Sequence, residues 1–320
     1  MKRNNMKSLP IVFIMALPSI FGCAFPTNIL NSAIVTVNVV DEDGNTVPGV
    51  RSEFYNQTDS HDDSGVTDKD GIYATRVWNA SNEIGGVFTK PGYYKSIGRI
   101  WKKTQEEPVS NNNFTVVLKR IIDPVKMHKK AKQVTISPQY TILPRLYESV
   151  GYDLEIGDWV FPDGKGKITD MLITTDGHFT NNQDFSLEMT VEFTGELNGI
   201  QPFNYPVNAA GMPLRSELPP PAVAPENNYV KIIKMTSRRT PPEKWSVNSY
   251  DETRKWIFRT RTTVDENGEI VSAHYGWTTE DINFGIFNEQ GLLTFFYYYN
   301  PDPHSRSLEP KEIADRQNRD

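Results

Sequence analysis

Apolar and polar residues alternate over short runs along this chain, and no long stretch repeats at the three-and-four spacing of a helix face. Ala33 to Val40 is a β-branched run closed by the turn Asp41-Glu42-Asp43-Gly44-Asn45, and Val47-Pro48-Gly49-Val50 opens the next strand. Gly65 to Tyr73 reads as a hairpin about Asp70-Gly71, a dipeptide suited to positive backbone φ. Val87 to Tyr94 and Phe114 to Leu118 complete a first set of strands. Further along, Leu154 to Val160 alternates, and Pro162 to Gly166 turns it into Ile168 to Thr174. Phe185 to Phe193 alternates strictly, which puts Ser186, Glu188, Thr190 and Glu192 on one face. Trp256 to Val264 and Ile270 to Gly276 form a hairpin through Asn267-Gly268. Leu292 to Tyr299 is apolar on both faces, as in an interior strand. The pattern predicts an all-β protein: an N-terminal β-sandwich over 32–120, a connector over 121–146, a larger antiparallel β-domain over 147–309 and a frayed charged tail over 310–320.

The first set of strands carries recurring motifs in a fixed order. Val39-Val40-Asp41-Glu42-Asp43-Gly44 precedes Pro48-Gly49-Val50; Gly65-Val66-Thr67-Asp68 follows with Gly71-Ile72-Tyr73; Lys90-Pro91-Gly92-Tyr93 comes last. In order and spacing these resemble the carboxypeptidase regulatory-like family, over roughly residues 32–120 and under a third of the chain. The resemblance implies a transthyretin-like (prealbumin-like) sandwich of seven strands, a non-catalytic accessory domain of bacterial surface proteins whose fold also occurs among carbohydrate-binding modules. No peptidase domain accompanies it, and such a fold does not fix a function. The second half matches no family by its motifs.

The first residues read as an address. Lys2, Arg3 and Lys7 precede a mostly apolar run from Leu9 to Phe21, too short to span a bilayer but suited to the core of a signal peptide over 1–22. Ile20-Phe21-Gly22-Cys23 resembles a bacterial lipobox, so Cys23 is the expected lipidation site and the chain is expected in the cell envelope, secreted across the inner membrane. Ala24 carries no inner-membrane retention signal, which points to the outer membrane. Phe21 departs from the usual small residue at its position, and the alternative is ordinary cleavage that releases a soluble protein beginning at Phe25. Cys23 is the only cysteine, so no disulfide forms.

Composition narrows the chemistry. A net charge of −6 argues against general nucleic-acid binding, and 38% apolar with 23% charged residues places the chain among globular proteins. The basic stretch holding Lys126, Lys129, Lys130 and Lys132 reads as a solvated connector, with anionic headgroups or wall polymers as the functional alternative. Asp41, Asp43 and Asn45 have one-apart calcium-loop spacing, and Asp62, Asp63, Asp68 and Asp70 lie close together. Thr46 stands where a calcium loop needs glycine, so turn chemistry is the favoured reading. His61, His128, His178, His274 and His304 are scattered with no pair at metal-ligand spacing. Serine-hydrolase, zinc-protease, phosphate-loop and dinucleotide motifs are missing.

Two kinds of site remain. A glycosidase needs only two facing carboxylates, roughly 5 to 9 Å apart, and Asp158, Asp170, Asp176, Glu188 and Glu192 are the candidates. A glycan-binding surface needs exposed aromatic faces, which Trp245, Trp256, Trp277 and Tyr297, Tyr298, Tyr299 could supply. Trp277 beside a turn is the expected exposed ring, with Tyr297 and Tyr299 sharing one face of their strand and Tyr298 the other. The expectation is a non-catalytic envelope lipoprotein that binds or scaffolds a glycan or protein partner, without cofactor or metal. The alternatives are an extracellular carbohydrate-active hydrolase and a plain spacer.

Overall fold

The computed structural model describes residues 32–56, 63–78, 83–101, 112–130, 141–204 and 215–317. The leader with Cys23, His61, Asp62 and the last three residues lie outside the described residues.

The N-terminal module contains β1 (Ser32–Val40), β2 (Arg51–Asn56), β3 (Asp63–Val66), β4 (Ile72–Trp78), β5 (Glu83–Thr89), β6 (Ser96–Trp101) and β7 (Asn112–Val117). They form two sheets, β4-β1-β7 and β6-β5-β2-β3, in which β1 runs antiparallel to β4 and parallel to β7. Val35, Val37 and Val39 alternate inward and meet Phe54 and Phe88 of the opposite sheet. Phe88 and Phe114 both pack edge-on to Phe54, at 5.9 and 6.1 Å between centroids. This is a β-sandwich, as the alternation predicts.

Two expectations for this module need correction. Val47 to Val50 form no strand: Val47 and Val50 bury their side chains from a loop that returns along β1, where the Val47 N–H donates to the Val39 carbonyl. The Asp70-Gly71 turn exists, with Gly71 at φ +76, but its arms part company. β3 pairs with β2 and β4 with β1, so the turn carries the chain between sheets instead of closing a hairpin. Only glycine fits there, because a Cβ would sit 2.7 Å from the Val39 carbonyl oxygen.

The remainder builds β8 (His128–Lys130), β9 (Thr141–Ile142), β10 (Val150–Asp153), β11 (Asp158–Trp159), β12 (Met171–Asn181), β13 (Asp184–Phe193), β14 (Gly199–Asn204), β15 (Arg215–Ser216), β16 (Ile232–Arg239), β17 (Val247–Asn248), β18 (Arg254–Val264), β19 (Ile270–Thr278), β20 (Asn283–Phe287), β21 (Gln290–Thr294), β22 (Tyr297–Tyr299) and the helix α1 (Lys311–Gln317). A six-stranded sheet, β11-β10-β12-β13-β16-β17, faces a five-stranded one, β14-β18-β19-β22-β8, while β20-β21-β9 closes one end. β13 buries every second residue, as its alternation predicts. Met189, Val191 and Phe193 of β13 meet Phe258 of β18 and Tyr297 and Tyr299 of β22 in the core between the sheets.

The five-stranded sheet is buried on its other face as well. Ile257, Ala273, Tyr275, Trp277 and Tyr298 pack there under Leu218, Ala222 and Ala224, under Leu308, and under Ile313 and Ala314 of α1. Tyr94 of the N-terminal module joins the same cluster, and β15 adds to the edge of that module's sheet by pairing with β6. Lys95 and Glu217 form an ion pair at 2.9 Å beside this join.

Four further expectations change. The described parts of the 121–146 connector, 121–130 and 141–146, are woven into the domain: β8 pairs with β22, Val125 bridges to Pro310, and β9 pairs with β21. Within Leu154 to Val160, residues 154–157 are the turn of the β10–β11 hairpin and only Asp158–Trp159 is a strand. Leu292 to Tyr299 breaks at Phe295-Phe296 into β21 and β22, which belong to different sheets. The tail is not frayed over 311–317, because α1 buries Ile313 and Ala314 against the sheet and Gln317 hydrogen-bonds Glu217 and the Lys95 N–H. Its charged composition hid one short apolar face. Ile313→Ala is therefore expected to destabilise the protein by about 2–4 kcal/mol, read as a lowered denaturation midpoint in urea; a frayed tail would leave the midpoint unchanged.

Candidate functional site

The aromatic residues nominated from sequence are in the core. Trp277 is 1% exposed, stacks on Tyr298 at 4.8 Å and donates its indole N–H to the Leu308 carbonyl. Tyr297 and Tyr299 are 1% and 0% exposed. The alternation of Tyr297 and Tyr299 against Tyr298 holds, but both faces are covered, so none of the three offers a ring to a ligand. Trp256 is buried too, its indole N–H held by Asp281 at 2.6 Å.

Trp245 is the exception. It is 82% exposed and sits in the Thr240–Ser246 loop between β16 and the edge strand β17. This loop is braced. The Glu243 carboxylate accepts the Thr240 N–H and hydroxyl and pairs with Arg238 at 3.1 Å, and hydrogen bonding of this kind holds its pKa below the ordinary carboxylate value. Arg239 donates to the Glu243 carbonyl and to the Asn182 carbonyl, which ties the loop to the β12–β13 turn. The half-buried Asn182 amide donates to the Asn288 side-chain oxygen at 2.8 Å there and accepts the Asn288 N–H, so exposed Asn288 stands at the same end of the sheet. Val247 and Tyr250, both exposed, continue the apolar surface along the edge.

The carboxylate candidates do not converge. Glu188 and Glu192 lie on the outer face of β13, paired with Lys234 at 2.6 Å and Lys231 at 3.2 Å. Asp176 is in register with Glu188 on that same open face, with no opposing wall. Asp170 is buried elsewhere. Asp41, first of the candidate calcium residues, accepts the Asp43 and Asn45 N–H groups and pairs with Arg120 at 2.7 Å, which is turn chemistry. Asp68 likewise accepts the Asp70 and Ile72 N–H groups. Among the described residues, His178 reaches Asp184 at 3.8 Å on the surface, while His128 and His274 pack near the Tyr299 ring, at 6.4 and 5.4 Å between centroids.

Asp170 belongs to a buried charge cluster. Arg261 sits at a bulge of β18 with φ +53, and its guanidinium reaches both Asp170 oxygens at 2.9 Å and Asp153 at 2.8 Å, with Glu155 as a third carboxylate partner. Thr260 donates its hydroxyl to Asp170 at 2.6 Å and the Leu154 N–H adds another bond. Burial acts to raise the Asp153 pKa, but the N–H groups of Ile156, Lys167 and Ile168, with the Arg261 charge, hold it below its ordinary value. Desolvation acts to lower the Arg261 pKa, and the same carboxylates, Asp170 foremost, outweigh it and hold the value above normal. This cluster fixes the loop from Asp153 to Asp158.

That loop forms one wall of a cleft of about 340 Å³. Tyr152, Phe295 and Tyr297 line its aromatic side, Phe295 stacked on Tyr297 at 5.4 Å and edge-on to Tyr152 at 5.1 Å. Lys129, Lys130, Lys165 and Asp158 supply its charged groups. Lys130 lies along Gly157, where a Cβ would come within 2.9 Å of its Cδ, and donates to the Ile156 carbonyl. Both Asp158 oxygens accept backbone N–H groups, from Trp159 at 2.9 Å and Lys165 at 3.1 Å.

No family model matches the chain, and no curated protein matches it. Among solved structures, it is similar at 13% identity to a point mutant of Acinetobacter radioresistens catechol 1,2-dioxygenase, over 29% of this chain and 53% of that one, with a TM-score of 0.24. A streptococcal ancillary pilin matches at 13% identity over 65% of this chain and 59% of its own, with a TM-score of 0.22. A DUF3823 family protein from Parabacteroides merdae matches at 7% identity over 83% and 96%, with a TM-score of 0.20. The chain spans under two thirds of the length of the first two. Scores this low say nothing of ligand or activity.

The sequence placed Lys130 in a basic connector, did not single out Lys165 or Arg261, and favoured Trp277 over Trp245. One signal was present: Arg259 and Arg261 directly follow the apolar run Trp256-Ile257-Phe258 in a strand, and an arginine carried into the interior there calls for a counter-ion. Arg261→Met leaves Asp153 and Asp170 without their cation and is expected to cost about 3–5 kcal/mol. Because the Asp153 pKa is lowered by folding, its contribution to stability is complete above the ordinary aspartate value of 3.8 and is lost as pH falls through the depressed value. In urea titrations from pH 7 to 3, the native chain is expected to begin losing this contribution only below about pH 4, and Arg261→Met, without the cation that helps hold the Asp153 pKa down, to show a smaller acid-dependent loss.

Proposed function

We propose that this protein is a non-catalytic binding module of the bacterial cell envelope, that its ligand is a glycan, and that the lipid on Cys23 anchors it at the outer membrane. Trp245 carries the reading. A large indole, 82% exposed on a loop braced by Glu243, Arg238 and Arg239, is a rigid flat surface that costs little entropy to engage. Sugar rings stack on such faces, and the exposed Asn288 keeps its side-chain NH2 for ring hydroxyls at the same end of the sheet. The resemblance of residues 32–120 to the carboxypeptidase regulatory-like family supports an accessory, presenting role for the first module. The carboxylate candidates favour recognition over hydrolysis, since those on β13 are paired with lysines on an open face and Asp170 is committed to Arg261.

A panel of envelope polysaccharides, read by intrinsic tryptophan fluorescence and by retention on polysaccharide gels, tests this proposal. Trp245→Ala is expected to abolish retention with the fold intact, whereas Trp277→Ala is expected to lower stability. Retention unaffected by Trp245→Ala would remove this face from consideration, and capture of proteins alone would replace the glycan with a protein partner. Anchoring has its own check: Cys23→Ala is expected to move the protein from the membrane to the soluble fraction, and an unchanged distribution would exclude the lipid.

A further inference from the structure

The cleft beside β8 is a second place with chemistry of its own, far in the sequence from Trp245 and built from other strands. We propose that it binds a single acidic sugar unit, a monosaccharide ring bearing a carboxylate or a phosphate. Three features of the cleft converge on that class. Its volume of about 340 Å³ is at the small end of ligand sites, enough for one compact ring and too small to enclose a polymer. Its charged groups are predominantly ammonium: Lys129, Lys130 and Lys165 against the single carboxylate of Asp158. Its aromatic side, where half-buried Phe296 and the rim of Phe295 reach the cleft in front of buried Tyr152 and Tyr297, is apolar surface for the carbon face of a ring.

The polar groups are placed to discriminate. Lys130 gives one proton to the Ile156 carbonyl, which holds the side chain along Gly157 and leaves two donors on its ammonium group for an anion. Lys165 forms no ion pair among the described residues, and its backbone N–H is committed to Asp158. Lys129 is drawn toward the Tyr298 ring, 5.5 Å from its centroid, so Lys130 and Lys165 are the pair assigned to the ligand anion. Asp158 has used one lone pair on each oxygen for a backbone N–H, and its remaining acceptors suit ring hydroxyls. An anion with hydroxyls satisfies both charge signs; a neutral hexose leaves the lysines unmatched, and a bare anion leaves Asp158 unmatched. The wall that presents these groups is stiff, because Arg261 holds the Asp153–Asp158 loop from behind through Asp153 and Glu155.

Titration calorimetry of the purified protein tests this directly. The probes are glucuronate and galacturonate for the carboxylate arm, glucose 6-phosphate for the phosphate arm, and glucose, acetate and inorganic phosphate as controls. At least one acidic sugar is expected to bind more tightly than every control, with affinity falling as salt rises. Lys130→Gln combined with Lys165→Gln is expected to weaken that binding by about tenfold or more, as loss of two close charges from a partly desolvated site requires. Trp245→Ala is expected to leave it unchanged. Whichever arm binds names the anion. Glucose binding as tightly as the acids, acidic-sugar binding undiminished in the lysine variant, or no acidic-sugar binding at roughly 10 mM would each overturn the proposal. Polysaccharide retention through Trp245 would survive all three of those results, so the two readings fail separately.

Discussion

The centre of the five-stranded sheet is buried on both faces, and the rest of the molecule is arranged to keep it dry. Residues 255 to 260 of β18 are all buried, and β19 and β22 present large rings to both sides. Removing such a surface from water is the main favourable term in folding, and each face needs its own cover. One cover is the six-stranded sheet. The other is assembled from pieces: the 218–224 segment, the stretch around Leu308, the short helix α1 and Tyr94 from the N-terminal module. Elements that look peripheral in the sequence are thus part of the core.

The charged interior follows from the same constraint. β18 emerges from the covered region at a bulge, where Arg261 turns its guanidinium toward Asp153 and Asp170. A buried cation there is tolerable only with its hydrogen bonds filled, and the carboxylates of Asp153, Glu155 and Asp170 together fill them. The cluster then does a second job by fixing the Asp153–Asp158 loop, so the lysine-bordered cleft takes its shape from the core behind it. Trp245 stands in the opposite situation, held out by a local brace of side chains with no core beneath.

How much of this was legible in the sequence varies by element. β13 was readable because one face meets the core and the other meets water, so burial and alternation coincide. The all-β class and the first sandwich were readable for the same reason. Trp277 was misread because its neighbours Gly276 and Thr278 look like a turn, while its cover comes from Leu308 and α1, far along the chain. No local pattern encodes a lid supplied by distant segments. The separation of β3 from β4 was hidden for a related reason, since a turn that joins two sheets uses the same Asp-Gly dipeptide as one that closes a hairpin. Lys130 lay in what read as a connector, and only its pairing with β22 places it at a cleft.

The seam between the modules bears on how such a chain can be inherited. Domains that meet only through a flexible tether can be cut apart and recombined with other partners. Here β15 completes a sheet belonging to the N-terminal module, and Tyr94 of that module fills a gap in the cover of the other. Glu309 accepts the backbone N–H groups of Ile122 and Asp123, fastening the far end of the chain to the joint itself. Separating the halves would strip a strand from one and a core tyrosine from the other. The two modules are therefore a single unit of exchange, and gene rearrangements that preserve function are those that carry both together.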